Sequence, residues 1–263
     1  MRKYLIAIYL AILQLFTYRL SFILWRARNI FNLVFIYFLW SSVFVNRPSL
    51  FSYTQEKLIS YILLITILSS LILSTRTIDV GADILSGDIM NYLLKPFSFF
   101  KLVISRDIAD KLINVLFSIT EIVIFLVILK PNLFIQKDAA SYFLFFLSLL
   151  IGGIIAFFIS LNLSFLAFWS SEIWAPRYMY SIFLWFLAGS FFPLDILPKF
   201  IYSVLLFTPF PYLIFLPSKI YLNGFTNALF IPITLSLVWC VILYFLTKKI
   251  WNEGIKNYSA FGR

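Results

Sequence analysis

Six long apolar runs make up much of this chain, and they indicate that it folds in a lipid bilayer. A helix needs about 20 apolar residues to cross the hydrocarbon core of a bilayer. The runs are Ile30–Val45, Leu58–Ser74, Ile113–Leu129, Tyr142–Trp169, Tyr178–Phe192 and Phe225–Leu246. They predict an all-α polytopic membrane protein with six transmembrane helices. No run repeats another at a fixed period, so we interpret residues 1–263 as a single transmembrane domain.

The composition excludes several functions. Hydrophobic residues make up 62% of the 263 residues and charged residues only 12%, about half the share in soluble domains. The single cysteine, Cys240, permits no disulfide or thiolate metal site within the chain, and there is no histidine to serve as a base or metal ligand. The net charge is +10, but the basic residues are scattered between apolar runs, which argues against nucleic acid as a partner.

The distribution of basic residues predicts the orientation. With six spans, fifteen of the lysines and arginines fall on the side that carries both termini, and six fall on the other side. The positive-inside rule therefore predicts that both termini lie in the cytoplasm. Four tryptophans fall at this predicted cytoplasmic boundary, where amphipathic rings are favoured: Trp25, Trp169, Trp174 and Trp251.

Two segments outside the six runs need separate interpretations. In residues 1–24, Met1-Arg2-Lys3 precedes the apolar Tyr4–Leu13 without a cleavage site, which favours a helix lying in the membrane interface; an uncleaved signal anchor is the alternative. Residues 193–224 are apolar but hold five prolines, which no straight helix accommodates. We predict short re-entrant helices there, on the outer side before the last span.

Three charged residues and one row of small residues attract attention. Glu121 lies deep in the third run, where an ionisable group either pairs at a helix interface or faces a transport pathway. Glu172 and Arg177 lie in the turn between the fourth and fifth runs, as secondary inner-face contacts or as solvated charges. The small residues recur every fourth position of the fourth run and predict close helix packing, within the chain or against a second copy: Ser148, Gly152, Ala156, Ser160 and Ser164.

The longest polar interruption is Arg76–Pro96, within a predicted cytoplasmic loop over residues 76–106. It is either a solvated spacer or a docking surface. We predict two short helices, divided at Ser86-Gly87-Asp88, with Ser86 or Asp88 capping the second and Pro96 ending it. The apolar residues of these helices form one predicted side that requires a partner: Val80, Ile84, Ile89, Leu93 and Leu94.

Three segments carry a resemblance to a known family. The stretch Gly87–Ser98, with its Leu93-Leu94-Lys95-Pro96 core, resembles a conserved segment of bacterial type-2 ABC exporter permeases, especially a subfamily of about 260 residues often encoded with a second permease. The proline-rich segment from Phe192 to Gly224 and the basic ending Trp251–Arg263 are similar to parts of the same family. The likeness covers the whole chain in its topology.

The resemblance implies a function and partners. Such a permease pairs with a second permease chain, identical or related, and moves its substrate by coupling to a separate cytoplasmic ATPase subunit. By resemblance, the ATPase-coupling residues are Gly87, Asp88, Met90, Asn91, Leu93, Leu94, Lys95 and Pro96. The apolar spans suggest an amphipathic or hydrophobic cargo, exported outward.

Motifs for chemistry within the chain are missing. No glycine begins a GxxxxGK[ST] phosphate loop, and no DxxD-type carboxylate pair lies in an apolar run. We therefore expect no enzymatic activity and no cofactor in this chain, with ATP used by the partner. An ATP-independent secondary transporter or channel is the alternative, and it differs in predicting transport without ATP.

Overall fold

The computed structural model describes residues 6, 8–10, 12–13, 19–45, 49–51, 53–95 and 98–258. Throughout these ranges the chain is helical apart from loops and one small hairpin, in which β1 (Ser49–Leu50) pairs antiparallel with β2 (Tyr53–Thr54). The α-helices are α1 (Arg19–Phe44), α2 (Gln55–Leu68), α3 (Thr77–Ser86), α4 (Ile89–Leu93), α5 (Phe99–Leu129), α6 (Ala139–Phe165), α7 (Trp174–Leu187), α8 (Lys199–Leu205), α9 (Phe215–Asn223) and α10 (Phe230–Asn257).

The predicted all-α membrane fold is confirmed. Among the described residues, five helical stretches are long and apolar enough to cross a bilayer: Ile23–Phe44, Gln55–Ser86, Phe99–Leu129, Ala139–Phe168 and Asn227–Lys256. They coincide with five of the six predicted spans. The remaining one, Tyr178–Phe192, corresponds to α7, whose 14 residues reach about 21 Å at 1.5 Å per residue. It ends early because the chain turns at Gly189, in the left-handed conformation at φ 81°.

The first span begins earlier than predicted. Helix α1 is continuous from Arg19 to Phe44, and its stretch that is apolar enough to cross a bilayer begins at Ile23, before the predicted start at Ile30. Residues 19–24 of the predicted interfacial segment are continuous with this helix. The helix continues through Arg26 because that guanidinium is buried and paired with Glu121. Residues 6, 8–10, 12 and 13 are helical. The rest of residues 1–18 lies outside the described residues, so an interfacial helix there stays a prediction.

Helix α2 ends in an unusual backbone turn. Thr54 caps its first turn by accepting a hydrogen bond from the Lys57 N–H at 3.4 Å. At the other end the helix passes into a π-helical turn over Ser69–Leu73, a rare form that is frequent at functional sites. The chain then leaves the helix at Ser74. Lys111 of α5 donates to the carbonyls of Ser74 and Ile72, which satisfies groups that the irregular turn leaves without helical partners.

Helix α6 is the central element of the bundle, since α3, α9 and α10 all pack against it. The five predicted small residues of its packing row are all buried. A Cβ on Gly152 would lie 2.7 Å from the Tyr212 carbonyl oxygen, so only glycine admits this approach of the re-entrant backbone. Ser164 donates to the Thr77 carbonyl at 2.6 Å. The neighbours of this row therefore belong to the same chain.

The proline-rich segment forms the predicted short helices, α8 and α9. Its backbone is tied to α7, because the Phe215 N–H donates to the Ala188 carbonyl at 3.1 Å. Asp195 is held by Lys219 at 3.2 Å and by the Tyr53 hydroxyl at 3.0 Å, which fixes the segment to the hairpin. Burial and the Asp195 carboxylate both raise the pKa of the Tyr53 phenol well above its usual range.

The helices run antiparallel, so the bundle has two distinct ends. One end, here called the α3–α4 end, carries α3 and α4 together with the first turns of α5 and the last turns of α6 and α10. The opposite end carries the hairpin, α8 and α9. The short helices of the long polar interruption and the re-entrant helices therefore lie at opposite ends of the molecule.

Candidate functional site

The turn between α3 and α4 is formed around a left-handed glycine. Gly87 closes α3 at φ 87°, and its N–H donates to the Ile84 carbonyl at 3.3 Å. The predicted capping of α4 by Ser86 or Asp88 is wrong, since no side chain caps this helix. Asp88 already has helical torsions, and its carboxylate accepts instead from Ser86 Oγ at 2.8 Å and from Asn91 Nδ2 at 3.4 Å.

The apolar residues of α3 and α4 fall on two faces, not on the single side that the sequence predicts. Val80, Ile84 and Ile89 are buried against the starts of α5 and the ends of α6 and α10. Leu93 is 40% exposed and Leu94 82% exposed. We call the outward face of α4 the α4 surface; its members are Met90, Asn91, Leu93, Leu94 and Lys95. Pro96, also predicted to belong to it, lies outside the described residues.

Helix α4 is held firmly against the bundle. Arg106 of α5 donates to the Tyr92 hydroxyl at 2.9 Å and pairs with Asp83 of α3 at 3.3 Å. At the end of α10, the Tyr258 hydroxyl donates to the Ile84 carbonyl at 2.7 Å. Burial and the nearby Asp88 carboxylate raise the pKa of this phenol. Force applied to the α4 surface would therefore reach α3, α5 and α10 directly.

A compact cluster of charged and polar side chains connects the residues just before α3 to α5. We call it the polar joint; its members are Thr75, Arg76, Asp107, Asp110 and Lys111. Asp107 accepts from Thr75 Oγ1 at 2.7 Å and from the Arg76 N–H at 3.3 Å, and Lys111 pairs with it at 3.2 Å. The Arg76 guanidinium lies 3.4 Å from Asp110. Each of these carboxylates thus has a cationic partner, as charges removed from water require.

The polar joint continues to Glu121 through one asparagine and one arginine. Asn114 Nδ2 donates to Asp110 Oδ2 at 3.0 Å, and Arg26 of α1 donates to Asn114 Oδ1 at 2.5 Å. The same guanidinium pairs with Glu121 at 3.1 Å. Arg26 also lies 5.2 Å from the ring centres of Trp25 and Phe117. Glu121 thus sits at the α1–α5 interface as a buried ion pair.

Glu172 and Arg177 have different surroundings from each other. Glu172 is exposed and its carboxylate accepts from the Trp174 N–H at 2.9 Å and the Ala175 N–H at 3.3 Å, which caps the start of α7. Arg177 is turned into the bundle, where it donates to the Ser160 carbonyl at 3.1 Å and to the Ser164 hydroxyl. Arg177 therefore fastens α7 to α6 and is poorly placed to meet a partner.

A second feature is a groove of about 350 Å³ between α1, α2 and α7, here called the α1–α2–α7 groove. Its lining mixes polar and apolar residues and includes the π-helical turn of α2. The polar residues are Arg28, Asn29, Asn32, Thr66, Ser69, Ser70, Ser74 and Ser190. Its volume lies in the range of small-molecule sites. Nothing in the local sequence signals it, because its residues come from three distant segments.

Comparison with known protein families bears on these features. The model of a family described as "ABC-2 family transporter protein" matches residues 30–262, which is most of the chain. The chain belongs to this family. The resemblance to type-2 ABC permeases is therefore confirmed, and the ABC-2 permease is a multi-pass membrane protein of an ABC transporter. A search of curated proteins found no match to it.

The charged side chains of this region pair with one another across helices. In the ranges that the structure describes, no group of three His, Cys, Asp or Glu side chains is placed to hold a metal ion. The polar joint instead connects the start of α3 to α5, and the Arg26–Glu121 pair connects α5 to α1. The sequence analysis did not identify Arg26 as the partner of Glu121, because it used Arg26 only to predict the orientation in the membrane. The position of Arg26 close to an apolar run was the available clue.

Proposed function

We propose that the ABC-2 permease exports an amphipathic or hydrophobic substrate by docking a separate ATPase subunit on the α4 surface. The observation that carries this proposal is the exposure of Leu94, 82%, and of Leu93, 40%, at the end of the bundle and beside charged residues. Exposed apolar patches rimmed by polar residues mark contacts with a protein or a membrane, so these leucines support a contact surface. The same surface coincides with the segment that resembles the family's coupling helix.

The contacts around α4 support transmission of force from the ATPase. A push on Leu93 and Leu94 would move α3 and α5 together, because Arg106 bonds to both Asp83 and Tyr92. The polar joint would carry this movement to the base of α2, and the Arg26–Glu121 pair would carry it to α1. Such coupling is a rigid-body tilt of helices that changes access to a pathway.

The proposed assembly contains two permease chains, identical or related, with their α3–α4 ends in the cytoplasm and both termini on that side of the inner membrane. The excess of basic residues on this side supports the orientation. A sequence without a phosphate loop supports the assignment of ATP hydrolysis to the partner. The α1–α2–α7 groove, with polar groups inside otherwise apolar spans, is the proposed substrate path.

The docking role is tested with the double variant Leu93→Asp/Leu94→Asp. The permease is co-expressed with the ATPase encoded beside it, and the complex is purified through a tag on the permease. We expect the double variant to lose the ATPase from the purified complex and to lose ATP-dependent transport, because two carboxylates would be buried without partners in an apolar contact.

The matched control is Ile135→Asp. Ile135 is 66% exposed, but it lies in the connection between α5 and α6, at the opposite end of the bundle. This control should retain the ATPase and transport. Normal co-purification and transport in the double variant would exclude the α4 surface as the docking site. Transport by the purified permease in liposomes without ATP would favour the secondary transporter or channel.

A further inference from the structure

The lining of the α1–α2–α7 groove carries charge of one sign only. Arg28 is an exposed cation at the groove, and no carboxylate belongs to the lining. Among the described residues, no ion pair involves Arg28, whose guanidinium lies 5.8 Å from the centre of the Trp25 ring. An arginine that faces a groove within apolar spans requires a counter-charge, because an unpaired cation is costly there.

The polar groups next to Arg28 have free hydrogen-bonding capacity. Within the part of the chain that the structure describes, the Asn29 and Asn32 amides and the Ser69 and Ser70 hydroxyls donate no hydrogen bond to protein groups. These residues lie in helices, whose backbone groups bond to one another, so the side chains remain available to a ligand. Ser69 and Ser70 lie side by side in the π-helical turn, which widens the helix at this point.

An independent observation lies at the other end of the groove. Ser190 is only 8% exposed, lines the groove, and its buried hydroxyl has no hydrogen-bond partner among the described residues. Buried hydroxyls are normally satisfied, so this hydroxyl is available to a ligand or a water molecule in the groove. Gly189, with its left-handed φ of 81°, precedes it, and the Gly189 carbonyl accepts from Tyr61 Oη at 2.6 Å.

The remaining residues of the groove lining are apolar or aromatic. Its apolar lining consists of Trp25, Leu33, Ile36, Ile62, Ile65, Leu73, Trp185 and Phe191. The backbone from Ile62 of α2 through the π-helical turn to Leu73 is at most about 17 Å long at 1.5 Å per residue. The antiparallel course of α1 and α2 places Arg28 towards the α3–α4 end and Ser190 towards the opposite end. A molecule that follows the groove would thus meet a cation first, an apolar wall next and a hydroxyl last.

We infer that the α1–α2–α7 groove binds an amphiphile with an anionic head group, and that Arg28 selects for its carboxylate or phosphate. This inference rests on the proposed transport function and adds to it the chemical class of the substrate. The guanidinium, with its fork of donors, suits a carboxylate or phosphate, and the neighbouring amides and hydroxyls complete the polar pocket. The alkyl part would lie along the apolar wall. Such a molecule is either a bilayer phospholipid or a single-chain anionic amphiphile.

Binding of a fluorescent fatty acid tests this inference. The probe is 11-(dansylamino)undecanoate, and its matched uncharged control is the methyl ester. The purified full-length permease is placed in phosphatidylcholine nanodiscs, and energy transfer from tryptophan to the dansyl group reports binding, since Trp25 and Trp185 line the groove. We expect saturable binding of the acid and weaker binding of the ester.

Variants identify the group that recognises the charge. Arg28→Gln should weaken binding of the acid about tenfold, the usual value of one charge-assisted hydrogen bond, and should leave binding of the ester unchanged. Arg28→Lys should retain affinity within about threefold, since the charge remains. Ser190→Ala should weaken both probes without lowering the thermal unfolding midpoint. Lys130→Gln, a cation at the opposite end of the bundle, is the control and should bind as the wild type does.

The inference is overturned if Arg28→Gln binds the acid with wild-type affinity, or if acid and ester bind equally well. Replacement of part of the phosphatidylcholine by phosphatidylglycerol distinguishes the two sources of the head group. Displacement of the probe would identify a bilayer phospholipid, and its retention would identify a single-chain amphiphile; either result supports an anionic site. The measurement requires neither ATP nor the ATPase. Failure of the docking test would therefore not affect this result, and failure of the binding test would not affect the docking result.

Discussion

Arg26 and Glu121 form a buried charged contact between α1 and α5. Their side chains are only 8% and 7% exposed, and 95 residues separate them in the chain. A buried ion pair adds little net stability, because removing both charges from water offsets most of their attraction. Loss of one partner is different, since it leaves an uncompensated charge. The pair therefore fixes the position of α1 on α5 more than it strengthens the fold.

Single and double substitutions should separate the net stability that the pair adds from the cost of leaving one charge unpaired. We expect Arg26→Met to destabilise the permease by about 3–5 kcal/mol, because Glu121 is left unpaired. The double variant Arg26→Met/Glu121→Met should recover most of that loss. Thermal unfolding in detergent, followed by tryptophan fluorescence, gives the comparison. If the double variant is as unstable as the single variant, the pair has a role beyond mutual compensation.

Among the elements, α6 shows how a helix serves as the centre of a membrane bundle. Its buried row of small residues lets backbone approach backbone, and Gly152 admits the carbonyls of Tyr212 and Leu213. In lipid no hydrophobic effect draws helices together, so close packing of this kind supplies much of the attraction. The adjacent Gly153 differs, because a Cβ added there would meet no atom within 4 Å, although both glycines belong to the same turn.

The two neighbouring glycines make a matched test of the packing. Gly152→Ala should destabilise the permease by about 1–3 kcal/mol, because the new methyl group overlaps the re-entrant backbone. Gly153→Ala should be neutral or stabilise the helix by up to about 1 kcal/mol, since alanine is the better helix former. Thermal unfolding midpoints of the two variants decide the point. Equal midpoints would show that the re-entrant segment does not press on α6.

At the scale of the whole molecule, the two ends of the bundle differ in chemistry. The α3–α4 end holds the polar joint and the α4 surface. The opposite end holds the hairpin, the re-entrant helices and the Asp195 contacts. This asymmetry is what the proposed docking of an ATPase at one end requires. It also provides the basis for an accessibility test of the proposed orientation.

Cysteine labelling should establish which end faces the cytoplasm. The single native cysteine is removed by Cys240→Ser, and one cysteine is then introduced by Asn91→Cys on the α4 surface or Lys137→Cys in the α5–α6 connection. A membrane-impermeant maleimide applied to intact spheroplasts should label the second variant and not the first. Lysed cells, in which both should react, serve as the control. The reverse pattern in spheroplasts would invert the proposed topology.

Much of the fold was predictable because the lipid sets a simple length requirement. α2, α5, α6 and α10 each contain most of one long apolar run, and prolines mark the segment between α7 and α10. The start of α1 was not predictable, since the burial of Arg26 depends on Glu121 in a distant helix. The early end of α7 follows from a left-handed turn at Gly189, which composition does not reveal.

The site was less predictable than the fold, for a related reason. The pattern of α3 and α4 gives their apolar residues but not which of them meet α5, α6 and α10. Ile89 and Leu93 are alike in sequence terms, yet one is fully buried and the other 40% exposed. The α1–α2–α7 groove depends on Arg28 and Ser190, which are 162 positions apart in the numbering. Only the tertiary arrangement brings such residues to one surface.

The hydrogen bond from Tyr258 to the Ile84 carbonyl has a practical consequence for handling the protein. It anchors the end of α10 against the turn that presents the α4 surface, so anything fused after this residue is delivered next to that surface. If the ATPase docks there as proposed, a bulky fluorescent domain would compete with it for space and imitate a docking defect. The α5–α6 connection, exposed at the far end, is the safer place for a reporter.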